Sequence, residues 1–184
     1  MTDFKELAAA TEANPVGADF AALRDAYLNY EHRAVKHITR QKLMQITNHV
    51  TDFSEVETIC RNILDTNPLD LEARMMLAVA QERADKKADA EKNHLFVEQM
   101  IDTILATGNG KSFETAWKLV SENEAWTIMR VFGMRAKSHT RHQREDGIFD
   151  VYEGIIGDRE ATMYFDVTNP VRFVDHNVIG DSSE

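Results

Sequence analysis

The chain has 184 residues, 43% of them hydrophobic, enough to bury a core as one domain or as two small, tightly joined ones. Its formal net charge of -10 and pI near 5.2 argue against a nucleic acid or an anionic membrane as main partner, because both demand excess positive charge. The single cysteine, Cys60, rules out an intrachain disulfide and suits a reducing compartment.

The N-terminus, Met1 to Glu6, shows no basic segment followed by an apolar run, so neither a signal peptide nor a lipoprotein leader is expected. With no apolar window long enough to span a bilayer, the expected location is the cytoplasm. Residues 1–17, small, polar and Ala-rich, read as a flexible lead-in: a loose helix or a disordered segment. Phe20, Leu23, Tyr27 and Tyr30 share one face of a helix from about Asp19 to Tyr30. A second helix is expected from about His37 to Val50, with a less regular stripe of Ile38, Leu43, Met44 and Ile46. Ser54 and Glu57 have capping-box spacing and open a third helix carrying Val56, Cys60 and Ile63, stopped by Pro68. On that apolar face Cys60 reads as a buried, inert thiol rather than a nucleophile.

The fourth helix, Leu71 to about Ala84, carries Ala73, Leu77, Ala78 and Ala80. The fifth, Ala88 to Ala106, carries Leu95, Val97, Met100, Ile101, Ile104 and Leu105, with Gly108 as its C-cap. The pattern then changes. Trp117 to Val120 reads as a short strand, and Ser121 with Glu124 as a second capping box, opening a helix with Ala125, Ile128, Met129 and Phe132 inward and Gly133 at its end. Three strand-like runs follow, Met134 to Gln143, Ile148 to Ile156 and Ala161 to Val167, with turns at Glu145-Asp146-Gly147 and Gly157-Asp158-Arg159. Met163, Phe165 and Val167 alternate with Thr162, Tyr164 and Asp166, giving one packed and one wetter face to an antiparallel meander.

Aligned on Pro68, the third helix places Val56, Cys60 and Ile63 at the packing positions of a tetratricopeptide-like helix, and Leu77, Ala78 and Ala90 fit the next unit. The preceding unit fits poorly, with Met44 where a small residue is needed. About one and a half units remain, fewer than the three or so a free-standing solenoid needs. The array must therefore be completed by other elements.

Several motifs follow one another along the chain: Asp19-Phe20 with Leu23-Arg24 and Tyr27; Asn67-Pro68-Leu69-Asp70; Ile104-Leu105 with Gly108-Asn109-Gly110-Lys111-Ser112 and Glu114-Thr115-Ala116; Glu124-Ala125-Trp126; and Tyr164-Phe165-Asp166-Val167. In this order, over residues 18–168, the chain resembles the uncharacterised bacterial domain-of-unknown-function family numbered four thousand nine hundred and nineteen. It departs from the family in Trp126, where tyrosine is expected, and a leader like that of many relatives is not expected at its start, so their envelope location is not carried over. The resemblance implies no activity.

Chemical signals are weak. Gly108-Asn109-Gly110-Lys111-Ser112 looks like the end of a phosphate-binding loop, but Leu105 replaces the required earlier glycine and the segment follows a helix. A helix C-cap and a turn, or a glycine turn aiming Lys111 at a carboxylate, are the competing readings. Arg135, Lys137, His139 and Arg141 alternate along one strand and so project from one face. They read either as a strip for an anionic peptide or phosphate, or as an edge guarded by charge and partly neutralised by Asp150 or Glu153. His139 and His142 fall on opposite faces of a strand, and His94 reads as a partly buried core histidine. No metal site, cofactor or catalytic set is expected.

The sequence thus leads to an α+β protein. A flexible lead-in (1–17) precedes a tetratricopeptide-like helical array (18–107), which packs on a small antiparallel sheet with one additional helix (108–168), and a tail follows (169–184). The expected function is a non-enzymatic module whose groove takes a peptide or partner helix. The alternative is a small enzyme or anionic-ligand domain using Lys111, Glu124 and Arg135, with Lys137 and Arg141 as further ligand-binding candidates, in a site between array and sheet. A homodimer that hides the incomplete array is a third possibility.

Overall fold

A computed structural model describes residues 3–30, 45 and 52–172 of the chain, which divides into two compact units, Met1–Met100 and Ile101–Glu184. The expected helix over His37 to Val50, and the tail beyond 172, lie outside the described residues but for Gln45, which is helical.

The first unit is helical. Helices α1 (Phe4–Ala13), α2 (Phe20–Leu28), α3 (Phe53–Thr66) and α4 (Leu71–Arg83) each follow an aspartate, and α5 (Lys87–Leu105) carries the chain into the second unit. The carboxylates of Asp3, Asp19, Asp52 and Asp70 accept hydrogen bonds from backbone N–H groups of the first turns, which otherwise lack partners. This corrects the capping box at Ser54: Asp52 caps α3 and accepts from Ser54 N at 2.8 Å, while Glu57 pairs with Arg61 and Lys86. The lead-in expected over residues 1–17 holds α1, whose Phe4, Ala8 and Thr11 recur at helical spacing and are buried. Phe4 meets Tyr27 and Tyr30 at ring distances of 5.3 and 4.8 Å, tying α1 to α2. Between α3 and α4 the core is Val56, Cys60, Ile63, Leu64, Ala73, Leu77 and Ala80. Small residues on α4 let its backbone approach α3 closely.

On α5 the buried stripe is Ala90, Asn93, Phe96, Val97, Met100, Ile101 and Ile104. His94, expected in the core, is half exposed and bonds Glu82 at 2.9 Å; it lies about 100° around the helix from Asn93.

The second unit is built on a four-stranded mixed sheet in the order β1-β4-β3-β2, with β1 (Trp117–Lys118), β2 (Met134–Gln143), β3 (Ile148–Ile156) and β4 (Arg159–Asp166). The last three form the expected antiparallel meander, and β1 joins β4 in parallel. Helix α6 (Asn123–Val131) buries Ala125, Ile128 and Met129. Phe132, expected inward, stays 39% exposed while stacking on Trp117. The second capping box forms in shifted register: Glu124 reaches back to Val120 N at 2.9 Å, and Ser121 Oγ accepts from Asn123 N at 3.4 Å. Met163, Phe165 and Val167 are buried, and Thr162, Tyr164 and Asp166 are less so, as their alternation demands.

Candidate functional site

Two adjoining depressions in the helical unit are lined by residues of α1, α3, α4 and α5. The first is a groove of about 240 Å³ floored by Phe4, Ala8, Leu64 and Pro68, with Ala9 and Tyr30 beside them and Lys5, Glu12 and Asp65 at its rim. The second is a polar pocket of about 160 Å³ that shares Glu12 with the groove.

Arg74 organises the polar pocket. Its side chain is 2% exposed, held over the Phe96 ring at 3.8 Å. Nη1 donates to Asn93 Oδ1 at 3.1 Å, and Nη2 to the Pro68 carbonyl at 3.0 Å. The Asn93 amide passes the network on, donating to Gln81 Oε1 at 2.8 Å and to the Asp89 carbonyl at 3.1 Å. Arg74 Nε is buried without a partner. The nearest carboxylate is that of Glu12, 48% exposed and 3.6 Å from Nη2, beyond a good hydrogen bond. Burial pulls the Arg74 guanidinium below its usual range, with Glu12 and Asp70 opposing. Nothing in the local sequence marks this pocket, because its residues come from four separate helices and its arginine occupies a core position of α4.

In the sheet unit, the residues expected to bind a ligand have separate local settings. Gly110 takes φ +65° and closes the 108–112 turn on itself: Asn109 N and Gly110 N donate to the Thr115 carbonyl, and Lys111 N to Asn109 Oδ1. The N–H groups of Asn109, Gly110 and Lys111 are therefore already used. Lys111 is exposed, with no ion pair among the described residues. Glu124 is 2% exposed and holds Val120 N, and no hydrogen bond or ion pair links any two of Lys111, Glu124 and Arg135.

The single-face strip on β2 is also corrected. A bulge between Ala136 and Ser138 leaves Lys137 without a partner on β3. Arg135 then pairs with Ile155, whereas His139 and Arg141 pair with Tyr152 and Asp150. Directly opposed residues share a face, so Arg135 lies on the opposite face from His139 and Arg141. Arg141 grips the buried Asp150 with Nε at 2.7 Å and Nη2 at 2.8 Å, and also contacts Glu122. His139 Nε2 meets the same carboxylate at 3.0 Å while its ring stacks on Tyr152. Burial would push Asp150 up, yet bonds from Arg141 and His139 hold it below the usual carboxylate range. Tyr152 is pushed up to about 12 by burial and by the Asp150 and Glu122 charges. These partners consume Arg141 internally, on an edge strand that the charges guard.

Cys60 is fully buried, and burial, with the Asp70 charge, pushes its thiol up to about 12. Burial thus disfavours the thiolate that a nucleophile needs. Among the described residues no helix is long and apolar enough to cross a membrane.

A family model described as a domain of unknown function (DUF4919) matches residues 20–176. No curated protein and no solved structure matches the chain.

Proposed function

We propose that this chain, which belongs to the DUF4919 family of domains of unknown function, is a non-enzymatic interaction module whose helical unit binds a peptide segment of a partner protein. The observation that carries this reading is the 240 Å³ groove, with an apolar floor of Phe4, Ala8, Leu64 and Pro68 and a polar rim. Such a floor accepts an apolar anchor side chain, and a rim with two carboxylates and one ammonium favours a basic residue beside that anchor. Helix α1 and the end of α3, with Tyr30 and Pro68, wall the groove. Helices α3 to α5 are read as tetratricopeptide-like hairpins, and stacked helix pairs commonly present peptide sites. The buried, inert cysteine and the acidic surface agree with a cytoplasmic setting.

Peptides selected from a random display library against the whole chain test this reading. Ala9, exposed in the groove, provides the probe. Ala9→Arg is expected to weaken a selected apolar-basic peptide by about tenfold or more, as blocking an anchor pocket does, without moving the thermal midpoint. Selected peptides that bind Ala9→Arg as tightly as the parent chain would sink the proposal. The enzyme or anion-site alternative has less support, since the Glu124 carboxylate is held by the Val120 N–H.

A further inference from the structure

A buried guanidinium is costly unless its charge is matched and its N–H groups are bonded. Arg74 meets this requirement only in part. Asn93 and the Pro68 carbonyl are neutral acceptors, Nε has no partner, and Glu12 stands off at 3.6 Å from a half-exposed position. Its counter-charge is thus a loosely seated, half-exposed Glu12 at 3.6 Å, with Asp70 adding a weaker pull, although it lines a pocket with room for several waters, at about 30 Å³ each. Two further cations line the same pocket. Lys92 has no ion pair among the described residues, and Arg61 is engaged with Glu57. Against these three cations stand the carboxylates of Glu12 and Asp89.

The position of Glu12 gives the direction of approach. A half-exposed carboxylate already comes within 3.6 Å of Nη2, so an incoming carboxylate can take the position that Glu12 holds. The donor geometry also selects the ligand. A guanidinium edge presents parallel N–H groups that match a planar carboxylate, whereas Glu12 and Asp89 repel a doubly charged tetrahedral anion more strongly than a singly charged one.

We propose that the pocket around Arg74 and Asn93 is a carboxylate-binding site, in which one incoming carboxylate displaces Glu12 and completes the buried guanidinium with support from Lys92. The carboxylate comes from a small free acid or from an acidic side chain of a bound protein segment. The site does not depend on the groove being a peptide site: Glu12 borders both, but Ala9 probes the groove alone and Lys92 the pocket alone.

The test is a titration of the full ¹⁵N-labelled chain with sodium propionate at constant ionic strength, following the Arg74 Nε–H and the Asn93 side-chain amide. Both signals are expected to move saturably. Glu12→Gln removes the competing carboxylate and should tighten binding about threefold, and Lys92→Gln should weaken it by a similar factor, the size of a partly screened charge pair. Both positions are exposed enough to leave the fold intact, so Arg74 itself need not be altered. Inorganic phosphate should bind several-fold more weakly than propionate. A capped peptide holding one glutamate identifies the source: saturation at lower concentration than propionate points to a protein side chain, and weaker binding to a free acid. Signals that stay fixed in propionate, or that respond equally to phosphate and chloride, would overturn the site. So would affinity unchanged in both variants.

Discussion

At the scale of single residues, the backbone and the core are stricter than the charged surface. Gly154 sits where β3 crosses the bulge of β2, opposite Ala136, and a Cβ there would run into the Arg135 carbonyl and the Ala136 backbone. Neither obstacle is a flexible side chain, so the strand pair itself must shift. Gly154→Ala is expected to destabilise the sheet unit by about 2 kcal/mol or more, by the overpacking mechanism, read as a lower urea midpoint. A midpoint within error of the parent would show that the bulge relaxes freely. Lys137, which the bulge leaves unpaired, needs no such protection because it points into solvent at an open edge. The bulge was invisible in the sequence: Met134 to Gln143 reads as an uninterrupted strand, and only the pairing with β3 reveals the extra residue.

At the scale of elements, the sequence was legible wherever local periodicity and burial coincide. Val56, Cys60 and Ile63 mark the buried face of α3, and Met163, Phe165 and Val167 that of β4, because spacing alone decides which side faces the core. Helix starts were harder. Asp52 and Ser54 both suit an N-cap, and the choice depends on where the chain enters the helix, which Glu57 biased wrongly because its real partners are Arg61 and Lys86. The two caps make opposite predictions. Asp52→Ala should cost about 1 kcal/mol, and Ser54→Ala only a few tenths, in chemical denaturation. The reverse order would restore the capping box. The Arg74 pocket was the least legible feature, since Glu12, Arg61, Arg74 and Asn93 are drawn together by helix packing across about 80 residues of chain.

At the scale of the whole molecule, charge and burial act in opposite directions as pH falls. The net charge of -10 at pH 7 produces self-repulsion, which declines as the chain approaches its pI near 5.2. Two carboxylates respond differently, one in each unit. Asp150, gripped by Arg141 and His139, lies below its ordinary 3.8, and Glu57, bonded by Lys86 and Arg61, below its ordinary 4.5. A depressed folded value means that the unfolded chain takes up the proton first. These carboxylates therefore stabilise the fold fully above their ordinary values, and the contribution is lost as pH drops through the lower folded ones. Stability should accordingly hold or rise slightly from pH 7 to about 5, then fall steeply below about 4. Asp150→Asn leaves Arg141 and His139 without their buried carboxylate, so it should lower stability at pH 7 and flatten part of the acid limb, leaving the Glu57 contribution in the other unit unchanged. Denaturant melts of the parent and of Asp150→Asn across this range decide the matter. If the two curves run parallel below pH 4, the titration of Asp150 contributes nothing to the acid limb, which must then arise from other carboxylates.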